Sequence, residues 1–231
     1  MYNIVINEDE QVDDLLLDDL KVIQKKNAFR YGTDAVLLSD FAIIPKKARV
    51  LDIGTGTGII PILLSYKYDP AHITGIDIQS DMVEMACRSV NMNDLGDLID
   101  IKCIDVNDLL KEYPKRSFDV IVTNPPYKRA GSGILNDADN ITVARHEIKC
   151  TLEDIIRVSS DLLTVGGIFY MICRPERLAD TFEYMRKYKI EPKKLTMVHS
   201  DIKKQPVMFL VQGVFGGGKN LLVTEPVIIS K

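Results

Sequence analysis

The sequence predicts an α/β fold, Rossmann-like and doubly wound around a mostly parallel sheet, and three observations carry that reading. Strand-like apolar runs alternate with helical patterns from about residue 49 onward. The runs are continuously apolar, as strands covered on both faces are. The last two long runs, 195–199 and 207–215, are separated only by residues 200–206. That spacing permits a hairpin and forbids a parallel crossover, so one antiparallel strand should close the sheet.

Taken in order, Arg49-Val50-Leu51-Asp52-Ile53 reads as the first buried strand and 59–68 as the helix behind it. Residues 73–78 form a second strand. Ser80 is expected to cap the next helix, with Glu84 near the capping-box position, and that helix runs to about Asn91. Residues 99–104 and 118–123 are the third and fourth strands. A helix over 152–163 should stop at Gly166-Gly167 as a C-cap. Residues 168–173 give a fifth strand, 176–188 another helix, and 221–229 a short terminal strand. Residues 128–142, rich in Gly, Ser, Asn and Asp, and Gly216-Gly217-Gly218 read as irregular loops. The first follows a strand-end motif, a reasonable place for a substrate-gating segment.

With 231 residues, 46% of them hydrophobic, and a mean hydropathy of +0.01, the chain can bury one well-packed domain. No apolar run reaches the roughly 18–20 residues of a membrane span. Met1-Tyr2-Asn3-Ile4 lacks the basic-then-apolar order of a secretory signal, so a cytoplasmic protein is expected. Cys87, Cys103, Cys150 and Cys173 are far apart, without a C-x-x-C pair or clustered His. Neither a disulfide framework nor a metal site is suggested, and reduced, mostly buried thiols are expected.

The net charge of −4 does not suggest a nucleic-acid binder, but the charges are segregated. Glu8, Asp9, Glu10, Asp13, Asp14, Asp18 and Asp19 make the beginning acidic; Lys21, Lys25, Lys26 and Arg30 follow with no acid between them. Lys193, Lys194, Lys203 and Lys204 form a second basic zone. A locally basic rim suffices to attract phosphates, because the field falls off within about 8–10 Å. Any single lysine is explained better as an ordinary solvated charge.

The most informative stretch is Asn124-Pro125-Pro126-Tyr127, at the end of the fourth strand. The Asn124 side-chain carbonyl and the Pro125 peptide carbonyl are two acceptors, and Tyr127 adds a flat π face. Together they could hold a planar –NH2 group, and methylation of such a nitrogen is the foremost chemistry needing that arrangement. Asp52-Ile53-Gly54-Thr55-Gly56-Thr57-Gly58 follows the first strand. Its G-x-G-x-G spacing misses the third glycine of a dinucleotide fingerprint and matches S-adenosylmethionine sites. Asp77 ends the second strand, where an acid can bond both ribose hydroxyls, and Asp105 follows the third, placed for an adenine amino group. Each could merely cap a strand or turn, but in a doubly wound sheet all four positions converge on one crevice.

On these residues the chain resembles the class I S-adenosylmethionine-dependent methyltransferases that methylate amino groups, from about Gln24 onward. Phe29-Arg30-Tyr31-Gly32-Thr33-Asp34-Ala35-Val36-Leu37-Leu38 and Ala144-Arg145-His146-Glu147 narrow the resemblance. Both are similar to bacterial tRNA adenine-N6-methyltransferases that modify the adenosine next to the anticodon of valine tRNA. The resemblance implies a seven-stranded sheet of order 3-2-1-4-5-7-6, with residues 1–48 covering the cofactor and 49–231 forming the core. It implies that Gly54, Gly56 and Gly58 line the cofactor's methionine part, Asp77 holds its ribose and Asp105 with Val106 its adenine, with Asp52 and Ile78 also in the cofactor site. Gly32, Thr33 and Asp34 would cover it, and Asn124 would touch it; Thr33 or Asp34 reads equally well as the cap of a helix starting at Ala35.

Asn124, Pro125 and Tyr127 would then form the catalytic clamp. Lys25, Lys26, Arg30, Lys128, Arg129 and Arg145 would contact tRNA phosphates. His146 reads as a surface or packing residue. No membrane or DNA partner is expected, and the chain should act as a monomer or weak homodimer. The main competitor is a protein-glutamine N5-methyltransferase acting on release factors, since its substrate amide is also a planar –NH2. Those enzymes carry a helical domain ahead of the glycine loop, where only about 50 residues stand here. A methyltransferase fold kept as a non-catalytic RNA-binding scaffold is the second competitor.

Overall fold

The computed structural model describes residues 4–15, 17–26, 33–125 and 150–229. A hairpin of β1 (Glu10–Asp14) and β2 (Lys21–Lys25) precedes helix α1 (Thr33–Phe41). Then follow β3 (Arg49–Ile53), α2 (Ile59–Lys67), β4 (His72–Asp77), α3 (Ser80–Met92), β5 (Ile99–Cys103), α4 (Leu109–Glu112) and β6 (Phe118–Thr123). The second half holds α5 (Leu152–Leu162), β7 (Leu163–Cys173), α6 (Leu178–Lys187), β8 (Ile190–His199) and β9 (Pro206–Phe215). Two short strands, β10 (Leu222–Val223) and β11 (Val227–Ile228), finish the chain.

Across the main sheet the order is β10-β8-β9-β7-β6-β3-β4-β5, with β11 also on β8. Counting only the long strands from β3 as one to seven, this is 3-2-1-4-5-7-6. The neighbours from β5 to β7 are parallel, and β9 runs antiparallel to both β7 and β8. The described sheet has nine strands rather than seven, because the terminal run splits into two two-residue strands that extend the β8 edge.

The apolar runs are continuous because each strand feeds two cores. Val50, Val120, Val122 and Tyr170 pack on one face, Leu51, Ile53, Ile121 and Phe169 on the other. The period-two alternation of a strand sends neighbours to opposite faces, so every position is apolar when both faces are covered. From β3 the chain builds outward first through β4 and β5, then on the other side through β6. The carboxyl ends of β3 and β6 therefore flank the switch point, where open α/β sheets bind ligands.

The N-terminal hairpin is fastened to the outside of α3. Arg88 donates to both Glu10 carboxylate oxygens at 2.7 Å. Ser89 Oγ accepts from the Ile23 N–H at 2.9 Å. Asn93 accepts from the Lys21 N–H and donates to the Lys21 carbonyl.

Three local expectations give way. Ser80 lies inside α3, not at its cap; Gln79 stands at the cap without a side-chain bond, and Asp77 Oδ1 accepts the Gln79 N–H at 2.9 Å. That bond satisfies the N–H of the cap residue itself, the donor a capping-box acid would otherwise take. Gly166-Gly167 does not cap α5, which ends at Leu162 as Leu163 turns extended and starts β7 directly. Gly166, at φ +80°, lies where the β6–β7 register shifts, so the glycines serve a bulge. Of the four free cysteines only Cys173 is buried, and Cys103 is exposed.

Candidate active site

A pocket of about 310 Å³ opens at the switch point, within the usual range for a small-molecule site. Gly54 and Gly56 form its floor, with φ of +77° and +54°. A Cβ built on either would meet nothing within 4 Å, so the bare backbone faces open space and a ligand can approach it closely. Gly58 differs. Its Cβ would sit 3.2 Å from Ala86 Cβ, so this glycine lets the start of α2 pack against α3 and takes no part in the pocket wall.

Asp77 stands at the end of β4, its Oδ2 accepting the Gly56 N–H at 3.0 Å. The acid thus braces the glycine loop while its side lines the pocket. Asp105 follows β5, where its Oδ1 accepts the Asn107 N–H at 2.9 Å. Ile78, Met82, Ile104, Val106 and Ile155 supply apolar walls between the acids. A polar–apolar–polar slot of this kind suits a nucleoside: an acid for the ribose hydroxyls, flat walls for the base and an acid for its amino group.

Asp52 does not join the wall. It is fully buried at the end of β3, and neither carboxylate oxygen meets a hydrogen-bond partner. Burial pushes its carboxyl up to about 7, and the nearby Asp77 charge adds to the rise. The Thr55 hydroxyl is close enough to temper the shift without reaching hydrogen-bond geometry. Period-two alternation places Asp52 on the same face as Val50, in the packed layer rather than on the ligand side.

Asn124 and Pro125 close the pocket at the end of β6. Asn124 Nδ2 donates to Asp34 Oδ2 at 3.2 Å. Asp34 lies in the first turn of α1 and is buried, and Thr33 begins that helix, so neither precedes it as a cap. Neither lines the pocket; Asp34 reaches the site through Asn124. Lys25 pairs with Asp81 at 3.1 Å, and Lys26 donates to the Glu8 carbonyl at 2.8 Å, so both are engaged on the hairpin side. Gly32, Tyr127, Arg30, Lys128, Arg129, Arg145, His146 and the 128–142 loop lie outside the described residues.

Sequence reasoning missed the Asp34–Asn124 contact, the apolar walls at Met82 and Ile155, and Cys150. The Cys150 thiol is pushed up to about 12, first by burial and then by the Asp154 and Asp105 charges, so it is no nucleophile near neutrality. Among the described residues no group of three or more His, Cys, Asp or Glu could hold a metal ion, and no helix is long and apolar enough to cross a membrane.

The residues present fit S-adenosylmethionine: an open glycine floor, an acid at each polar end and an apolar slot between them. The fold and this site define an S-adenosylmethionine-dependent methyltransferase. Residues 19–189 match the methyltransferase small domain family. A tRNA1(Val) (adenine(37)-N6)-methyltransferase of Porphyromonas gingivalis is 34% identical over 192 residues, covering 79% of this chain and 73% of the relative. One of the same name from a Flavobacteriaceae bacterium is 25% identical, over 91% of this chain and 87% of its own. Among solved structures, a predicted O-methyltransferase of Agrobacterium tumefaciens superposes with a TM-score of 0.68 at 23% identity, over 84% of this chain and 86% of that one. Geranyl diphosphate methyltransferase in complex with S-adenosylmethionine superposes at 0.60 and 12% identity, over 78% and 84%. The chain belongs to the methyltransferase small domain family.

Proposed function

We propose that this protein methylates the exocyclic N6 of an adenosine in a tRNA anticodon loop, next to the anticodon. The observation that carries this reading is Asn124 in the pocket wall at the end of β6, its amide nitrogen donating to Asp34, which turns its side-chain oxygen away from that acid. The relatives named for tRNA adenine-N6 methylation support the choice of substrate.

Gly54 and Gly56 would hold S-adenosylmethionine by their backbone, Asp77 its ribose, and Asp105 with Val106 its adenine. Bound there, it supplies an electrophilic methyl group. The chain's task is to make the acceptor nitrogen reactive. The lone pair of N6 is delocalised into the adenine ring, which makes it a poor nucleophile. When Asn124 Oδ1 and the Pro125 carbonyl accept its two hydrogens, the nitrogen pyramidalises and frees that pair. The same acceptors stabilise the positive charge that develops on nitrogen. N6 would gain the methyl carbon as its bond to the sulfonium sulfur breaks, the thioether S-adenosylhomocysteine being the leaving group, and N6 would then give up one proton to solvent. No strong general base is needed, because that proton becomes acidic only after attack. Tyr127 would stack on the base, which an unpaired loop can present without melting a duplex.

Asn124→Ala should lower turnover by at least the roughly 10²–10³-fold typical of losing one such electrostatic partner. Cofactor affinity by calorimetry should stay within about threefold. Undiminished turnover in that variant would refute the mechanism.

A further inference from the structure

We infer that Asp34 is a positioning residue for Asn124, fixing which end of its carboxamide faces the acceptor amine; this rests on the methyl-transfer reading above. A carboxamide presents a donor and an acceptor of nearly equal size, and half a turn about its last bond exchanges them. Only one arrangement works here. An amide turned the other way would set its own hydrogens against those of the substrate –NH2.

The structure holds a device for that choice. Asp34 Oδ2 accepts from Asn124 Nδ2 at 3.2 Å. An ionised carboxylate has acceptors and no donor, so it compels the nitrogen to turn toward it and the oxygen away. Asp34 is only 7% exposed, so water competes poorly for the contact. It also sits in the first turn of the nine-residue helix α1, where the helix dipole favours a negative charge. A charge-assisted bond to the amide nitrogen further polarises the amide and strengthens its oxygen as an acceptor. The partners are 90 residues apart in sequence, so α1 must dock on the sheet before the site is set.

An acid at this place could instead serve only the start of α1, and a reversed pair separates the two roles. Initial rates on tRNA, cofactor affinity by calorimetry and melting temperature would be measured for D34A, D34N, N124D and D34N/N124D. D34A should lose about 10–10²-fold in kcat, part of the cost of losing the acceptor itself, with KM and cofactor Kd within about threefold. D34N keeps an acceptor and should lose less. N124D opposes two carboxylates and should be nearly inactive. In D34N/N124D the donor and acceptor exchange sides and one carboxylate oxygen remains for the amine, so activity should rise at least about tenfold over N124D. A role confined to the helix start predicts no such rescue. Transfer by the unaltered protein without rescue in the double variant overturns this inference alone, as does D34A losing stability and cofactor affinity while kcat per folded molecule is unchanged. No transfer to tRNA by the unaltered protein overturns the functional reading and this inference with it.

Discussion

Glu10→Gln should destabilise the protein in a way that depends on pH. Glu10 is 4% exposed and accepts from Arg88 twice at 2.7 Å, and from the Asn7 N–H and side chain at 2.9 and 3.1 Å. The Arg88 hydrogen bonds are the main reason its carboxyl falls from 4.5 to about 2; burial opposes the fall and Asn7 reinforces it. At about 1.4 kcal/mol per pH unit, the charged form is favoured in the folded state by about 3 kcal/mol. The side chains are 3% and 14% exposed, so solvent screening takes little from that figure. Arg88 keeps its bonds to Glu84, which softens the loss of one partner, so about 2–3 kcal/mol is expected at neutral pH. The folded pKa lies below the unfolded one. The stabilisation is therefore complete above about 4.5 and lost as pH falls toward about 2. Urea denaturation of both proteins at about pH 7 and pH 3 checks this. Most of the gap should close at the lower pH. An equal gap at both, or none at pH 7, would show that the Glu10–Arg88 pair does not clamp the hairpin to α3.

Two further substitutions probe the floor of the site. Asp52 carries a folded pKa raised from 3.8 to about 7, so its folded form keeps a proton the unfolded chain has lost, and stability falls as pH rises through that window. Asp52→Asn should raise the melting temperature at pH 8, by up to about 4 kcal/mol in free-energy terms, and change little near pH 4; a pH-independent effect would contradict that. Gly58→Ala should cost stability by about 1–2 kcal/mol or more from its left-handed backbone and its contact with Ala86. Gly56→Ala meets no packing clash but carries the same left-handed backbone cost at φ +54°, and should weaken cofactor binding as well; calorimetry beside thermal melts checks this, and unchanged cofactor affinity would contradict the glycine floor.

Much of this was legible in the sequence because its signals were local. Continuous apolar runs betray a sheet covered on both faces, and the short 200–206 link forces the antiparallel turn into β9. Strand ends gather at one edge, so Gly54, Asp77, Asp105 and Asn124 could be assigned to one crevice. Motif position ignores side-chain direction, which alternates along β3 and leaves Asp52 buried off the pocket wall. Gly166-Gly167 was misjudged because a glycine pair after a helix reads alike as a cap or a strand bulge. The Asp34–Asn124 bond was not legible at all, since it exists only once α1 lies against the end of β6.

The most direct measurement is transfer of a radiolabelled methyl group, offered bulk tRNA and release factor separately, followed by nucleoside analysis. The account predicts label in tRNA, recovered as N6-methyladenosine and absent with Asn124→Ala. Label on the release factor, or none in tRNA, would contradict it.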